Sequence, residues 1–170
     1  LPRYWRDPRF GVNRRHVPLV GVSWYEANAY RNWLLQNWDA LDEGKQGLQK
    51  PNWIRLPTEK EWALAAGGEE KERFAFGELK DVKEITRYAN TSESDINRTT
   101  PVWMYPLGAS PTGAMDMSGN VWEWASSIHQ SYPYEATDGR ESNEDVNSTR
   151  VLRGGSFYYT NYQIRCAART

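Results

Sequence analysis

The sequence predicts an α+β domain of two main helices, short strands and much irregular backbone, and three observations carry that expectation. Ser23-Trp24-Tyr25-Glu26 and Thr58-Glu59-Lys60-Glu61 both have the form of a capping box, in which a hydroxyl and a carboxylate three residues apart satisfy orphaned amides at a helix start. Arg150-Val151-Leu152-Arg153 has strand character and breaks at Gly154-Gly155. Long alternating aliphatic runs are scarce, so the strands should be short.

Taken in order, residues 1–20 interleave Arg3, Arg6, Arg9, Arg14 and Arg15 with Tyr4, Trp5 and Phe10. Such a mixture could stack on and neutralise a nucleic acid strand. Pro2, Pro8, Gly11 and Pro18 favour an irregular arm lying on the domain instead. After Ser23, apolar residues recur at helical spacing through Ala27, Tyr30, Trp33, Leu34 and Trp38, which predicts a helix from Trp24 to Trp38. A polar loop with Gly44 and Gly47 follows. The second capping box, after Pro57, opens a shorter helix through Trp62 and Ala65 that Gly67-Gly68 should stop. From Gly67 to Thr100 the chain reads as polar loop with a short extended piece at Phe74-Ala75-Phe76. Pro101 to Pro106 is a strand candidate bounded by prolines, Pro133 to Thr149 an exposed loop, and Arg165 to Arg169 a final buried strand.

The length of 170 residues suits one domain with a real core. Nine Trp and ten Tyr against four Phe, with strongly negative mean hydropathy, predict a core of large rings whose polar tips reach partners. A formal net charge of −1 gives no electrostatic case for nucleic acid or an anionic membrane, and no apolar run approaches a membrane span. Cys166 is the only cysteine, so there is neither a disulfide framework nor a cysteine cluster for zinc; a reducing, cytoplasmic compartment fits. The Asn-x-Ser/Thr triplets at Asn90, Asn97 and Asn147 are best explained by chance. The chain opens at Leu1 without a signal-peptide pattern, which reads as an excerpt of a longer protein carrying other domains.

The segment Gly113 to Trp124 concentrates the chemistry. Alternation places Trp122 and Trp124 on one side of an extended backbone and Val121 and Glu123 on the other. Asp116 and Glu123 are hard oxygen donors separated by a glycine-bearing backbone whose carbonyls can face inward, which is the equipment of a calcium site. A hydrogen-bonded turn with a packed aromatic corner is the alternative.

Five motifs now stand in order: Val20-Gly21-Val22-Ser23-Trp24-Tyr25-Glu26-Ala27, Arg55-Leu56-Pro57-Thr58-Glu59-Lys60-Glu61-Trp62, Gly119-Asn120-Val121-Trp122-Glu123-Trp124, Arg153-Gly154-Gly155-Ser156 and Arg165-Cys166-Ala167. Together they resemble the formylglycine-generating enzyme (sulfatase-modifying factor) family over nearly the whole chain. The resemblance implies that family's C-type-lectin-like fold, with short mixed strands. Relatives begin earlier with further strand and continue to a Gly-Phe-Arg segment, so truncation at both ends is implied. It also places calcium on Asp116 and Glu123 with backbone oxygens of Gly119 and Val121. A second family site falls on Asn90 with the Thr91 carbonyl and Asp95, where Ser94 competes for the position.

Catalytic members of the family bind copper with a cysteine pair between the Gly-Gly-Ser and Arg-Cys-Ala motifs. Here that interval, Phe157 to Ile164, holds no cysteine, and a soft Cu(I) site needs thiolates. No copper is therefore expected. His16 and His129 are too few to replace the iron-binding histidines of the related sulfoxide-forming branch.

The same interval resembles the variable proteins of diversity-generating retroelements, non-catalytic members that present Tyr, Asn and Phe after Arg-Gly-Gly-Ser. Phe157, Tyr158, Tyr159, Asn161 and Tyr162 fit that pattern. Tyr gives contact area at low entropic cost while Asn adapts its hydrogen bonds. The expectation is a non-catalytic ligand-binding module for a protein or other macromolecular ligand, with no nucleic acid or membrane partner. An enzyme of the formylglycine-generating or sulfoxide-forming type, or a purely structural domain, is the alternative.

Overall fold

Both capping boxes form. In this computed structural model, which describes residues 1–41, 47–68, 73–145 and 147–170, α1 spans Trp24–Gln36 and α2 spans Glu59–Ala65. The Glu26 carboxylate accepts from the Ser23 amide at 2.8 Å and the Ser23 hydroxyl from the Glu26 amide at 3.2 Å. Thr58 and Glu61 repeat the exchange at 2.9 and 3.1 Å. Each cap contributes about 1 kcal/mol. The first helix stops short of Trp38. Asn37 bonds the Trp33 carbonyl with both its amide and its side chain, and Trp38–Ala40 continues as a 3-10 turn. Of the two loop glycines expected next, Gly44 lies outside the described residues.

Among the described residues the regular sheet has two antiparallel strands, β1 (Glu123–Ile128) and β2 (Arg150–Arg153). Glu123 pairs with Arg153 and Trp124 with Leu152, and the register becomes irregular before Ile128 pairs with Arg150. The Ser126 amide donates to the Pro57 carbonyl at 2.7 Å, and the Ser127 hydroxyl accepts from the Glu59 amide at 2.7 Å. The start of α2 is thereby riveted to β1.

Of three further segments expected to be extended, two are turns and one pairs only at its end. Phe74-Ala75-Phe76 lies in a tight turn closed by the Phe74–Gly77 pair. Pro101 to Pro106 turns at Met104, whose amide donates to the Pro101 carbonyl, and runs into the 3-10 turn Pro106–Gly108. Proline supplies no amide for a ladder, and among the described residues no strand pairs with this stretch. Arg165 to Arg169 makes one bridge, Arg153 to Arg169, and Thr170 exchanges hydrogen bonds with Leu152 at 2.8 and 3.2 Å. The Ala168 amide turns back to the Arg165 carbonyl, which limits the pairing to its last residues.

Tryptophan tips do find partners: Trp24 donates to the Ala125 carbonyl at 3.2 Å and Trp124 to that of Val22 at 2.9 Å. Around Trp62 the buried core adds Ala66, Ala75, Met117 and Cys166, and a second cluster joins Phe74, Ile85, Ala89 and Ile164. The interior also holds charge. Glu59, fully buried, sits 3.0 Å from Arg169 and 3.6 Å from the equally buried Arg153, whose guanidinium lies 5.1 Å from the Trp62 ring centre. Removing one partner of such a group strands a buried charge.

Candidate functional site

The chain from Asp116 to Glu123 is irregular because its backbone bends repeatedly into the left-handed region, at Asp116 (φ 58°), Gly119 (φ 92°) and Asn120 (φ 63°). Only glycine fits at position 119. A Cβ there would stand 2.5 Å from the Asn90 carbonyl oxygen. The bend is fixed from inside by Asn120. Its Nδ2 donates to the Thr100 carbonyl and to Asp116 Oδ2, each at 3.1 Å, while its Oδ1 accepts from the Thr100 amide at 3.0 Å and Asn90 Nδ2 at 3.3 Å. This asparagine is fully buried. Sequence reading passed over it, although an asparagine beside a glycine in a tryptophan-rich motif is a plain candidate for a left-handed, hydrogen-bonding position.

At the far end of the bend, Glu123 Oε2 accepts from Trp62 Nε1 at 2.7 Å. The point where a Cβ would stand on Gly154 lies 3.6 Å from the Met117 carbonyl oxygen and 3.8 Å from that of Val121, so backbone oxygens crowd one glycine-sized gap. Burial pushes the Asp116 carboxyl up to about 6, against the hydrogen bond from Asn120. Burial pushes Glu123 up to about 7, and the like charge of Asp116 adds to the rise despite the Trp62 hydrogen bond. Among the described residues, no three His, Cys, Asp or Glu side chains gather. A metal here would rest on two carboxylates and main-chain oxygens, the donor set of a hard cation.

The residues of the second expected site are placed differently. Asn90 and Thr91 are buried, while Asp95 is exposed at φ 52° and accepts from Asn97 at 2.8 Å. The hydroxyl of Ser94 is the group within reach of both Asn90 Oδ1 (3.1 Å) and the Thr91 carbonyl (2.7 Å).

The segment from Phe157 to Tyr162 leans on both loops. The Phe157 amide donates to the Asn120 carbonyl at 3.0 Å, the Tyr159 carbonyl accepts from Ser92 at 3.0 Å, and Glu93 Oε1 accepts from the amide and Nδ2 of Asn161 at 2.8 and 3.0 Å. Its rings face outward. Tyr158 is 77% exposed, Tyr162 64% and Tyr159 38%, whereas Phe157 and Asn161 are half-buried. Tyr159 stands edge-on to Trp122 at 5.7 Å and to Tyr158 at 6.1 Å, and the Arg165 guanidinium lies 3.7 Å from the centre of the Tyr162 ring. Trp122, Tyr159 and Tyr162 wall a cleft of about 440 Å³. Cys166 is fully buried, with its sulfur 3.5 Å from the Ala66 carbonyl. A larger apolar cleft of about 920 Å³, unanticipated from sequence, runs between the arm and α1 past Trp5, Tyr30, Leu34 and Trp124. No helix among the described residues is long and apolar enough to cross a membrane.

The family described as a sulfatase-modifying factor enzyme 1-like domain matches residues 3–170. Among curated relatives, the serine/threonine-protein kinase pkn1 of Chlamydia caviae is 37% identical over 157 residues, covering 89% of this chain and 21% of the kinase. The formylglycine-generating enzyme of Streptomyces coelicolor is 33% identical over 192 residues, covering 98% of this chain and 52% of the enzyme. This chain thus spans between about a fifth and a half of those two relatives. Among solved structures, Treponema denticola variable protein 1 superposes with a TM-score of 0.70 at 22% identity, covering 99% of this chain and 70% of that one. The fold is therefore the one expected.

Proposed function

The chain belongs to the sulfatase-modifying factor enzyme 1-like family, and we propose that it is a non-catalytic recognition module, a single domain over residues 1–170 within a longer protein. The observation that carries this reading is the outward display of Tyr158, Tyr159 and Tyr162 on a segment pinned from beneath by backbone hydrogen bonds. Rigid, exposed aromatic anchors with an adaptable amide beside them, here Asn161, are the composition of a binding surface. In the family's thiol-oxidising members this interval carries the copper-binding cysteines. This chain has tyrosines there, and its one thiol is sealed in the core. That the family domain forms about a fifth of a relative named for kinase activity favours an accessory role.

Asp116 and Glu123, with main-chain oxygens of Gly119 and Val121, would hold a structural calcium ion. Two carboxylates removed from water, near enough for the charge of Asp116 to raise Glu123, fit a hard dication, whose charge would keep both ionised. Asn90, Thr91 and Asp95 fit less well, because the Ser94 hydroxyl engages two of the three and Asp95 turns to Asn97. Calcium at the first position would brace the bend whose Asn120 carbonyl holds Phe157, and so support the display from below.

Incubation with copper and a cysteine-containing peptide tests the non-catalytic assignment. The peptide should be recovered unchanged. Formylglycine above the level of a denatured control would overturn it.

A further inference from the structure

Resting on the recognition reading above, we propose that the ligand is an acidic polypeptide segment held across the N-terminal arm and the tyrosine segment together. The two form one continuous surface. Phe10 stacks on Phe157 with ring centres 6.2 Å apart and planes 21° apart, and Tyr4 lies 6.0 Å from Phe10. Main-chain hydrogen bonds fasten the arm in place, from the Arg3 amide to the Gly21 carbonyl and from the Val102 amide to that of His16, each 3.0 Å.

Basic charge is concentrated on the arm. Residues 1–16 carry five arginines and one aspartate, although the whole chain has 21 basic and 22 acidic side chains. The rest of the molecule is consequently net acidic. Arg3, Arg6, Arg9 and Arg15 are exposed. Guanidinium groups also lie on rings along the surface: Arg3 is 5.4 Å from the centre of Tyr4, Arg9 is 5.1 Å from that of Phe10, and Arg165 is 3.7 Å from that of Tyr162. While Arg165 Nε donates to the Tyr162 carbonyl at 2.8 Å, Arg3, so placed, can turn its edge donors to a planar acceptor, and a carboxylate matches that fork. Asp7 already meets Arg9 in this fashion, accepting from Nε and Nη2 at 3.4 Å each.

A polypeptide fits better than a nucleic acid. The Glu93 carboxylate, bonded to Asn161, places a negative charge inside the tyrosine segment, and a net acidic body flanks the arm. A continuous phosphate chain would meet both. An acidic peptide can set its carboxylates on the arginines and its apolar or aromatic side chains against Tyr158 and Tyr162.

The test measures binding of three probes to the whole chain: a random copolymer of glutamate and tyrosine, polyglutamate, and a single-stranded oligothymidylate. The copolymer should bind best, and should weaken at least about tenfold in Arg3→Glu/Arg6→Glu/Arg9→Glu, in Tyr158→Ala/Tyr162→Ala, and in about 1 M salt, where screening acts within about 3 Å. Arg3→Lys/Arg9→Lys, which keeps charge but loses the fork, should weaken less; it and the salt series carry the test if the reversal variant fails to fold. Loss in the tyrosine variant alone would overturn the acidic partner and leave the recognition segment standing. Loss in the arginine variants alone would place the ligand on the arm and overturn the shared surface along with the tyrosine reading. Tighter binding of oligothymidylate, or no binding of the copolymer, would also overturn the inference.

Discussion

The bend from Asp116 to Glu123 and the segment from Phe157 to Tyr162 are neighbours, joined by the hydrogen bond from the Phe157 amide to the Asn120 carbonyl, and neither is regular structure over most of its length. They face opposite ways. The bend turns oxygens inward around Gly154 and satisfies itself through the buried Asn120, while the segment spends its backbone hydrogen bonds on anchorage and leaves its three tyrosine rings exposed. The difference teaches that irregular backbone is as specific as a helix when a buried amide side chain closes its hydrogen bonds, and that such a base frees a neighbouring strip of chain for display.

The contrast breaks most severely at Gly119. Replacing it with alanine puts a Cβ 2.5 Å from the Asn90 carbonyl oxygen at a φ of 92°, and the cost should be on the order of 3 kcal/mol in denaturant unfolding. An alanine variant as stable as wild type would mean that the bend is not held as described.

Calcium should sharpen the contrast by bracing the inner region directly. At a hundredfold excess over its dissociation constant it should add roughly 2.7 kcal/mol, read as a rise in melting temperature. Glu123→Ala should abolish that rise and Asp95→Ala should leave it nearly intact, since Asp95 is exposed and bonded to Asn97. An equal rise in wild type and Glu123→Ala would remove the site from this bend.

On the outer region the expected pattern is reversed. Tyr158→Ala and Tyr162→Ala should shift stability by no more than about 0.5 kcal/mol, as exposed positions do, and should each cost on the order of 2 kcal/mol in ligand binding. Loss of stability comparable with that of a buried ring, roughly 3 to 5 kcal/mol, would make these tyrosines part of the core.

The smallest effect concerns the helix that carries Trp62 to Glu123. Paired hydrogen bonds from Arg55, at 2.5 Å each, hold the Glu61 carboxyl down to about 2 from its ordinary 4.5, with the Thr58 amide helping. A carboxyl lowered in the folded state contributes stability above about 4.5 that is lost as pH falls through about 2. Both side chains are more than a third exposed, so the contribution should stay below about 1 kcal/mol. The stability difference between wild type and Glu61→Gln, measured along that pH range, should shrink toward acid. A constant difference would assign the effect to the cap alone.

Much of this molecule is decided locally and is therefore legible. Both helix starts follow from a hydroxyl and a carboxylate three residues apart, a geometry that needs no tertiary partner. The strand break at Gly154-Gly155 is likewise a property of the chain itself. Pairing is another matter. Phe74 to Phe76, Pro101 to Pro106 and Arg165 to Arg169 all have residues that tolerate extension, and whether each became a strand depended on a neighbour that the sequence does not announce. The charged interior is the clearest case of a tertiary decision. Glu59 reads as the first turn of an amphipathic helix, and only the fold brings Arg153 and Arg169, about a hundred residues away in sequence, close enough to make its burial tolerable. The family's motif order marked the two segments, the bend and the tyrosine strip, without the directions of their side chains. Which of them turned inward was decided by Asn120, through hydrogen bonds that close only once Asn90 and Thr100 have been brought beside it.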